Sequence, residues 1–202
     1  MRILRAALAL SAFLALAPSA HALMPTLPKN LPTLPKAGKI ALGAETSPPL
    51  GFVFYCARDR SACAPRKAKS VSVTKDGRVE MEAAVAEAIV TVNLAVNRQI
   101  RPVSEAAGSP DNWQANVSAG DCEDYALTKQ QRLLKAGWPS SALLIAKVRM
   151  RDGLYHAILI ARTSAGDYVL DNMTDEIRSW NAVPYRYIGV QSPANPSVWR
   201  TV

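Results

Sequence analysis

Cys122 lies in the run Gly120-Asp121-Cys122-Glu123-Asp124-Tyr125-Ala126, and downstream of it come one histidine, His156, and one well-placed aspartate, Asp171. The chain has only one other histidine, His21, near its start. A thiol, an imidazole and a carboxylate are the parts of covalent cysteine chemistry: one attacks, one moves the proton, one orients the base. Taken singly, each has a bland reading, since a cysteine at a helix start or a histidine on a strand is usually structural. The three together, in three consecutive structural contexts, favour chemistry.

The elements expected to position them follow from local pattern. Asp121 is a good N-cap, so Cys122 becomes the first residue of a helix that Gly137 and Pro139 end. Helix N-terminal N–H groups favour a thiolate. Asp121, Glu123 and Asp124 oppose it, so a compensating positive charge is expected from His156, a bound cation, or both. Beyond the helix, residues 142–150, 154–163 and 168–170 read as three antiparallel strands joined by the turns Arg151-Asp152-Gly153 and Ser164-Ala165-Gly166. That meander puts His156 and Asp171 on neighbouring strands, two residues out of register, or roughly 7 Å along the strand.

Upstream, Met81, Val85, Ala88, Ile89, Val92 and Val96 recur at three- and four-residue steps, which predicts a core helix over Val79–Arg98 with Asn93 and Asn97 on a shared face. Residues 101–119 hold Gly108, Pro110 and Asn112 and read as a loop delivering Trp113.

The first 22 residues look like a secretory leader. A basic start (Arg2, Arg5) precedes an apolar run from Ala6 to Ala17, and Ala20-His21-Ala22 supplies the small residues of a cleavage site. The apolar run falls short of the about 20 residues a membrane-spanning helix needs. Of 202 residues, removal of these 22 leaves 180 and lowers the net charge from +8 to +6, because Arg2 and Arg5 go with them. One exported, non-membrane-spanning domain is expected over 50–202, preceded by a Pro-rich arm over 23–49 with the near-repeat Pro25-Thr26-Leu27-Pro28-Lys29 and Pro32-Thr33-Leu34-Pro35-Lys36. The positive charge is dispersed and only 6% of residues are aromatic, which argues against a nucleic-acid surface.

Cys56 and Cys63, with six residues between them, are expected to form a local disulfide in an oxidising compartment; no neighbouring ligands complete a metal site. That pairing leaves Cys122 as the odd thiol.

Gly120-Asp121-Cys122-Glu123-Asp124-Tyr125-Ala126, the helix with Asn93 and Asn97, His156-Ala157-Ile158-Leu159 and Leu170-Asp171-Asn172 together resemble the bacterial transglutaminase-like cysteine peptidases, the group that includes LapG-type periplasmic proteases. Pro49-Leu50-Gly51-Phe52 and the Cys56/Cys63 pair fit the same family, so the resemblance spans roughly residues 48–195. It implies an α+β papain/transglutaminase-like core, with the nucleophile at a helix N-terminus packed on an antiparallel sheet. It implies Cys122 as nucleophile, His156 as base and Asp171 as its orienter. The oxyanion donors would be the Cys122 backbone N–H and a group from residues 111–116, Trp113 or Gln114. It further implies calcium, carried by Asp121 and Glu123 and extended here to Asp124. Its best-known members cleave a surface adhesin and are sequestered by an inner-membrane cyclic-di-GMP receptor. A protein-glutamine acyl transferase and a non-catalytic binding module on the same scaffold are the alternatives.

Overall fold

The computed structural model describes residues 33–106 and 108–202; the leader and the first part of the Pro-rich arm lie outside them. After a two-residue strand β1 (Glu45–Thr46) come helix α1 (Leu50–Arg58), helix α2 (Ala83–Gln99) and two short strands, β2 (Arg101–Pro102) and β3 (Ala119–Gly120). Helix α3 (Cys122–Lys135) follows, then strands β4 (Leu143–Arg149), β5 (Tyr155–Thr163), β6 (Gly166–Leu170), β7 (Arg178–Ser179), β8 (Arg186–Gln191) and β9 (Trp199–Arg200).

The sheet has the order β1-β9-β8-β4-β5-β6-β7, antiparallel throughout. Its centre is the β4–β5–β6 meander. β4 and β5 are near-continuous apolar runs because both faces of the sheet are covered. One face carries Leu143, Ile145, Ala157, Leu159, Ala161 and Leu170 and packs with α2 and α3. The other carries Leu144, Ala146, Ile158, Ile160 and Val169 and is covered by Ile40 and Leu42 of the arm and by Trp180, Tyr185 and Tyr187.

The described part of the arm is therefore pinned as well as extended. Ile40 N–H donates to Asp167 at 2.7 Å, and Asp167 N–H donates to the Gly38 carbonyl at 2.9 Å. Asp167 is fully buried and pairs with the Arg78 guanidinium, so the clamp under the arm is a compensated charge rather than a bare one.

α3 is buried nearly all round, from Glu123 to Gln130 and again at Leu133 and Leu134, because it lies between α2 and the sheet. It stops where the sequence says. Gly137 adopts φ +91° and its N–H bonds to the Leu134 carbonyl, while Trp138 N–H bonds to the Leu133 carbonyl, the two bonds of a Schellman cap. The upstream helix starts later than its periodicity predicts, at Ala83 rather than Val79. Val79 is instead extended, donating its N–H to the Arg162 carbonyl and bridging Thr163. Its apolar side chain is fully buried there, so sheet pairing captures a residue that also fits the helical period. The 101–119 segment is a loop whose ends are tied together, since β2 and β3 pair in parallel.

Candidate active site

Three elements converge at one end of the sheet. Cys122 opens α3 after Asp121, whose extended backbone (φ −112°, ψ −164°) makes it the N-cap, although its side chain makes no capping bond. His156 is the second residue of β5, opposite Val148 on β4. Asp171 comes directly after β6, whose last pair with β5 is Leu159 with Leu170. Continuing that register sets Asp171 opposite Ile158, two residues from His156, as the meander predicts. Side-chain reach closes the offset without a bulge: His156 and Asp171 share a sheet face, and His156 Nε2 lies 2.8 Å from Asp171 Oδ1.

Asp171 is almost wholly buried, and each of its oxygens is occupied. Oδ1 also accepts the Met173 N–H at 3.0 Å, and Oδ2 accepts the Tyr185 hydroxyl at 2.6 Å. Burial alone raises its pKa; the hydrogen bond and charge of His156, with Met173 and Tyr185, outweigh that and hold the carboxyl below its ordinary value. Tyr185 also packs its ring edge-on against the imidazole, centroids 5.6 Å apart. The loop behind Asp171 is fixed by α2: Asn97 Nδ2 donates to the Asp171 and Thr174 carbonyls at 3.0 and 3.1 Å, and Asn93 Nδ2 to the Asp175 carbonyl at 3.2 Å. The shared face predicted for the two asparagines is the face that carries this loop.

With Asp171 on Nε2, the ring proton belongs there and Nδ1 is left to exchange a proton with another group. Cys122 and His156 line the same two pockets, and the Ala157 N–H of β5 faces the sulfur. The sulfur lies 3.1 Å from Glu123 Oε2. Burial first, then Glu123 and Asp121, push the thiol far above its ordinary pKa.

The acidic residues flanking Cys122 have different fates. Asp124 Oδ1 accepts the Gln114 N–H at 2.7 Å, fastening the loop that holds Trp113, and burial raises its pKa to about 6. Glu123 is buried beside Asp111, and desolvation first, then the bond to Asp111, raises it to about 9. Glu105, Asp111 and Glu123 form a cluster in which one carboxylate oxygen from each lies within 4.8 Å of the other two. Asp121 and Asp124 are not in it. Neighbouring sequence made those two conspicuous, whereas Glu105 and Asp111 belong to a loop whose fold alone brings them to Glu123. The cluster fits a divalent cation: hard oxygen donors converge, and without positive charge one of them must hold a proton well above neutral pH.

Trp113 is buried, and its carbonyl accepts the Arg58 guanidinium at 2.6 Å. Its indole stacks edge-on with Phe52 of α1, and its Nε1 has no hydrogen-bond partner among the described residues. It lines the pocket that contains Cys122. The Gln114 backbone N–H is already committed to Asp124. The Cys56–Cys63 disulfide is present, Cα atoms 5.6 Å apart, and closes the turn after α1. Cys122 is the free cysteine.

Residues 42–202 match the family described as bacterial transglutaminase-like cysteine proteinase BTLCP. The chain belongs to that family. Its mixed helix and antiparallel sheet are the family's transglutaminase-like fold. Among solved structures, LapG of Legionella pneumophila is similar in its calcium-bound form (23% identity, TM-score 0.48, covering 52% of this chain and 64% of that one). The EGTA-treated form is similar to the same degree (24% identity, TM-score 0.48, 52% and 62%). The chain thus spans just under two thirds of the length of the LapG chains it matches. No curated protein matches it. Among the described residues, no helix is long and apolar enough to cross a membrane.

Proposed function

We propose that this protein is an exported endopeptidase in which Cys122, His156 and Asp171 act as a catalytic triad. The observation that carries the reading is the His156–Asp171 bond, which fixes the imidazole with Nδ1 free at the junction of the two pockets that Cys122 also lines. His156 Nδ1 takes the thiol proton as the sulfur attacks the substrate carbonyl carbon, and the carbonyl π pair moves onto oxygen. The imidazolium then gives that proton to the departing amine, leaving a thioester on Cys122. Water, deprotonated by the same nitrogen, hydrolyses the thioester and restores the thiol. Asp171 stabilises the imidazolium throughout. The Cys122 backbone N–H is the oxyanion donor in this reading, and Trp113 Nε1, unpartnered but enclosed against Gly51, is the second once the indole shifts to admit substrate.

Glu105, Asp111 and Glu123 would hold calcium. When bound, the ion supplies positive charge beside the thiol, where Glu123 otherwise raises its pKa. Export to the periplasm rests on the leader-like residues 1–22 and agrees with the disulfide. A surface-adhesin substrate and a sequestering cyclic-di-GMP receptor rest on family resemblance alone.

The test offers the mature protein a protein substrate together with a fluorescent primary amine. New peptide N-termini that vanish with Cys122→Ala and His156→Ala support the endopeptidase. Amine incorporation without new termini would replace it with the acyl transferase.

A further inference from the structure

Two lobes open from the reacting centre, and Cys122, Tyr155 and His156 line both. The first, about 250 Å³, has Asp111, Glu123 and Lys147 in its wall. The second, about 300 Å³, is different in kind. Pro102, Val103, Met150, Tyr155 and Met173 are its apolar lining, beside Ser104, Gly120 and Asn172, and Asp121 is its one carboxylate.

The second lobe leaves apolar surface in water. Val103 is 42% exposed, Tyr155 59% and Met173 61%. These come from three separate segments: the residue after β2, the start of β5 and the loop beyond Asp171. Their convergence is a product of the fold rather than of one apolar stretch. Exposed apolar surface gathered in a concave wall gains by burial against a ligand. Tyr155, at the junction of the lobes, is steadied by Lys147, whose Nζ lies 4.1 Å from the ring centroid. Met150 and Met173 supply unbranched, polarizable chains that adjust to the shape of an apolar guest.

The lobe is continuous with the nucleophile. A polypeptide acylated on, or attacked by, Cys122 must leave the sulfur through one lobe or both. A volume of about 300 Å³ is at the small end of ligand sites, suited to one or two side chains. We infer that the Val103–Met150–Met173 lobe is a specificity subsite that receives an apolar side chain of the substrate polypeptide beside the bond that is cut. The inference rests on the peptidase reading with Cys122 as nucleophile, and it adds the chemistry of the chain that reading cuts.

The experiment uses the mature protein with calcium and a mixture of decapeptides degenerate at their six central positions, with cut sites read by mass spectrometry. Iodoacetamide alkylation of Cys122, compared with His156→Ala, is run in parallel to establish whether the thiol is activated. The inference predicts one position near the cut at which Leu, Met, Val or Phe is favoured over Asp, Asn and Gly by about 10-fold or more, the scale of apolar-pocket discrimination. Met173→Asp and Val103→Asp, both at exposed side chains, should each weaken that preference and raise cleavage of peptides with Lys or Arg there. Cleavage with no apolar preference, or with a preference indifferent to both variants, overturns the subsite. So does an activated thiol that cuts no peptide in the mixture, because a subsite that binds a single side chain acts on short peptides. A thiol that alkylates no faster than in His156→Ala brings down the catalytic reading itself, a separate and recognisable result.

Discussion

The Tyr185 hydroxyl donates to Asp171 Oδ2 at 2.6 Å while His156 Nε2 holds Oδ1 of the same carboxylate. Asp171 therefore faces its two partners from opposite oxygens, and the imidazole is gripped twice, by the carboxylate and by the edge of the Tyr185 ring. Tyr185→Phe keeps the ring and removes one donor to a buried anion. Hydrogen bonds to charged groups are worth about 1.5–3 kcal/mol. The variant should lose about that much stability in urea unfolding and turn over more slowly with KM little changed. A variant as active and as stable as the parent would show that the bond does not position Asp171.

Asp171 also makes an acid-side prediction. Its folded pKa is depressed, so its contribution is present above the unfolded value of about 3.9 and disappears as pH falls through the folded value. Asp171→Asn should flatten that part of the stability–pH curve and lower stability at pH 7. Urea midpoints between pH 2 and 7 would show it.

Glu123 carries the opposite sign. Its folded pKa is raised to about 9 against a reference of 4.5, so the folded state keeps a proton that the unfolded chain releases. Stability without metal should fall as pH rises through that window. Glu123→Gln removes the conflict and should stabilise the metal-free protein at pH 8 by about 1–3 kcal/mol, the cost of an ill-satisfied buried polar group. The same variant should abolish any rise in melting temperature on adding calcium. A calcium-induced shift that survives Glu123→Gln but not Asp121→Asn would move the ion to the other side of Cys122.

Trp113 is backed by Gly51 at closest approach. A Cβ at that position would collide with Trp113 Cδ1 and Nε1. Gly51→Ala must displace the indole or helix α1 and should cost about 1–3 kcal/mol, as overpacking does. Peptidase activity should fall further than stability alone explains, because the displaced atom is the proposed second oxyanion donor. Thermal melts and initial rates on the same preparation separate the two effects.

The Cys56–Cys63 bridge closes a short loop, and the chain-entropy argument assigns such a loop about 2–3 kcal/mol. The Cys56→Ser/Cys63→Ser protein should unfold at correspondingly lower urea. It should still alkylate at Cys122, since the bridge touches neither His156 nor Asp171.

What could be read from the chain was what short-range pattern carries. The start of α3 at Cys122, its glycine stop, the β5–β6 turn and the two-residue offset between His156 and Asp171 are all local consequences of cap, turn and alternation. Val79 departs from its helical period because an apolar residue one turn before a helix fits both that period and a sheet edge; Arg162 and Thr163, more than 80 residues away, decide it. Tyr185 had no signal, being one tyrosine in a turn-rich stretch. Glu105 and Asp111 were hidden for the same reason: their meeting with Glu123 depends on how the 103–118 loop folds back between β2 and β3. Lys129 is the sharpest case. It sits in α3 as a polar residue of a helix, yet it is 1% exposed, and burial drives its pKa down to about 7 against the pull of Asp171 and Asp175.

The measurement that tests the central claim most directly is the rate at which iodoacetamide alkylates Cys122 at pH 7 in the mature protein with calcium, in the parent and in His156→Ala. A thiol of ordinary pKa, about 8.5, is only a few per cent thiolate at that pH, whereas one paired with an imidazolium is mostly thiolate. The account predicts a parent rate about 10-fold or more above that of His156→Ala, lowered toward it by a chelator. Equal, slow rates in both proteins, with or without calcium, would contradict it.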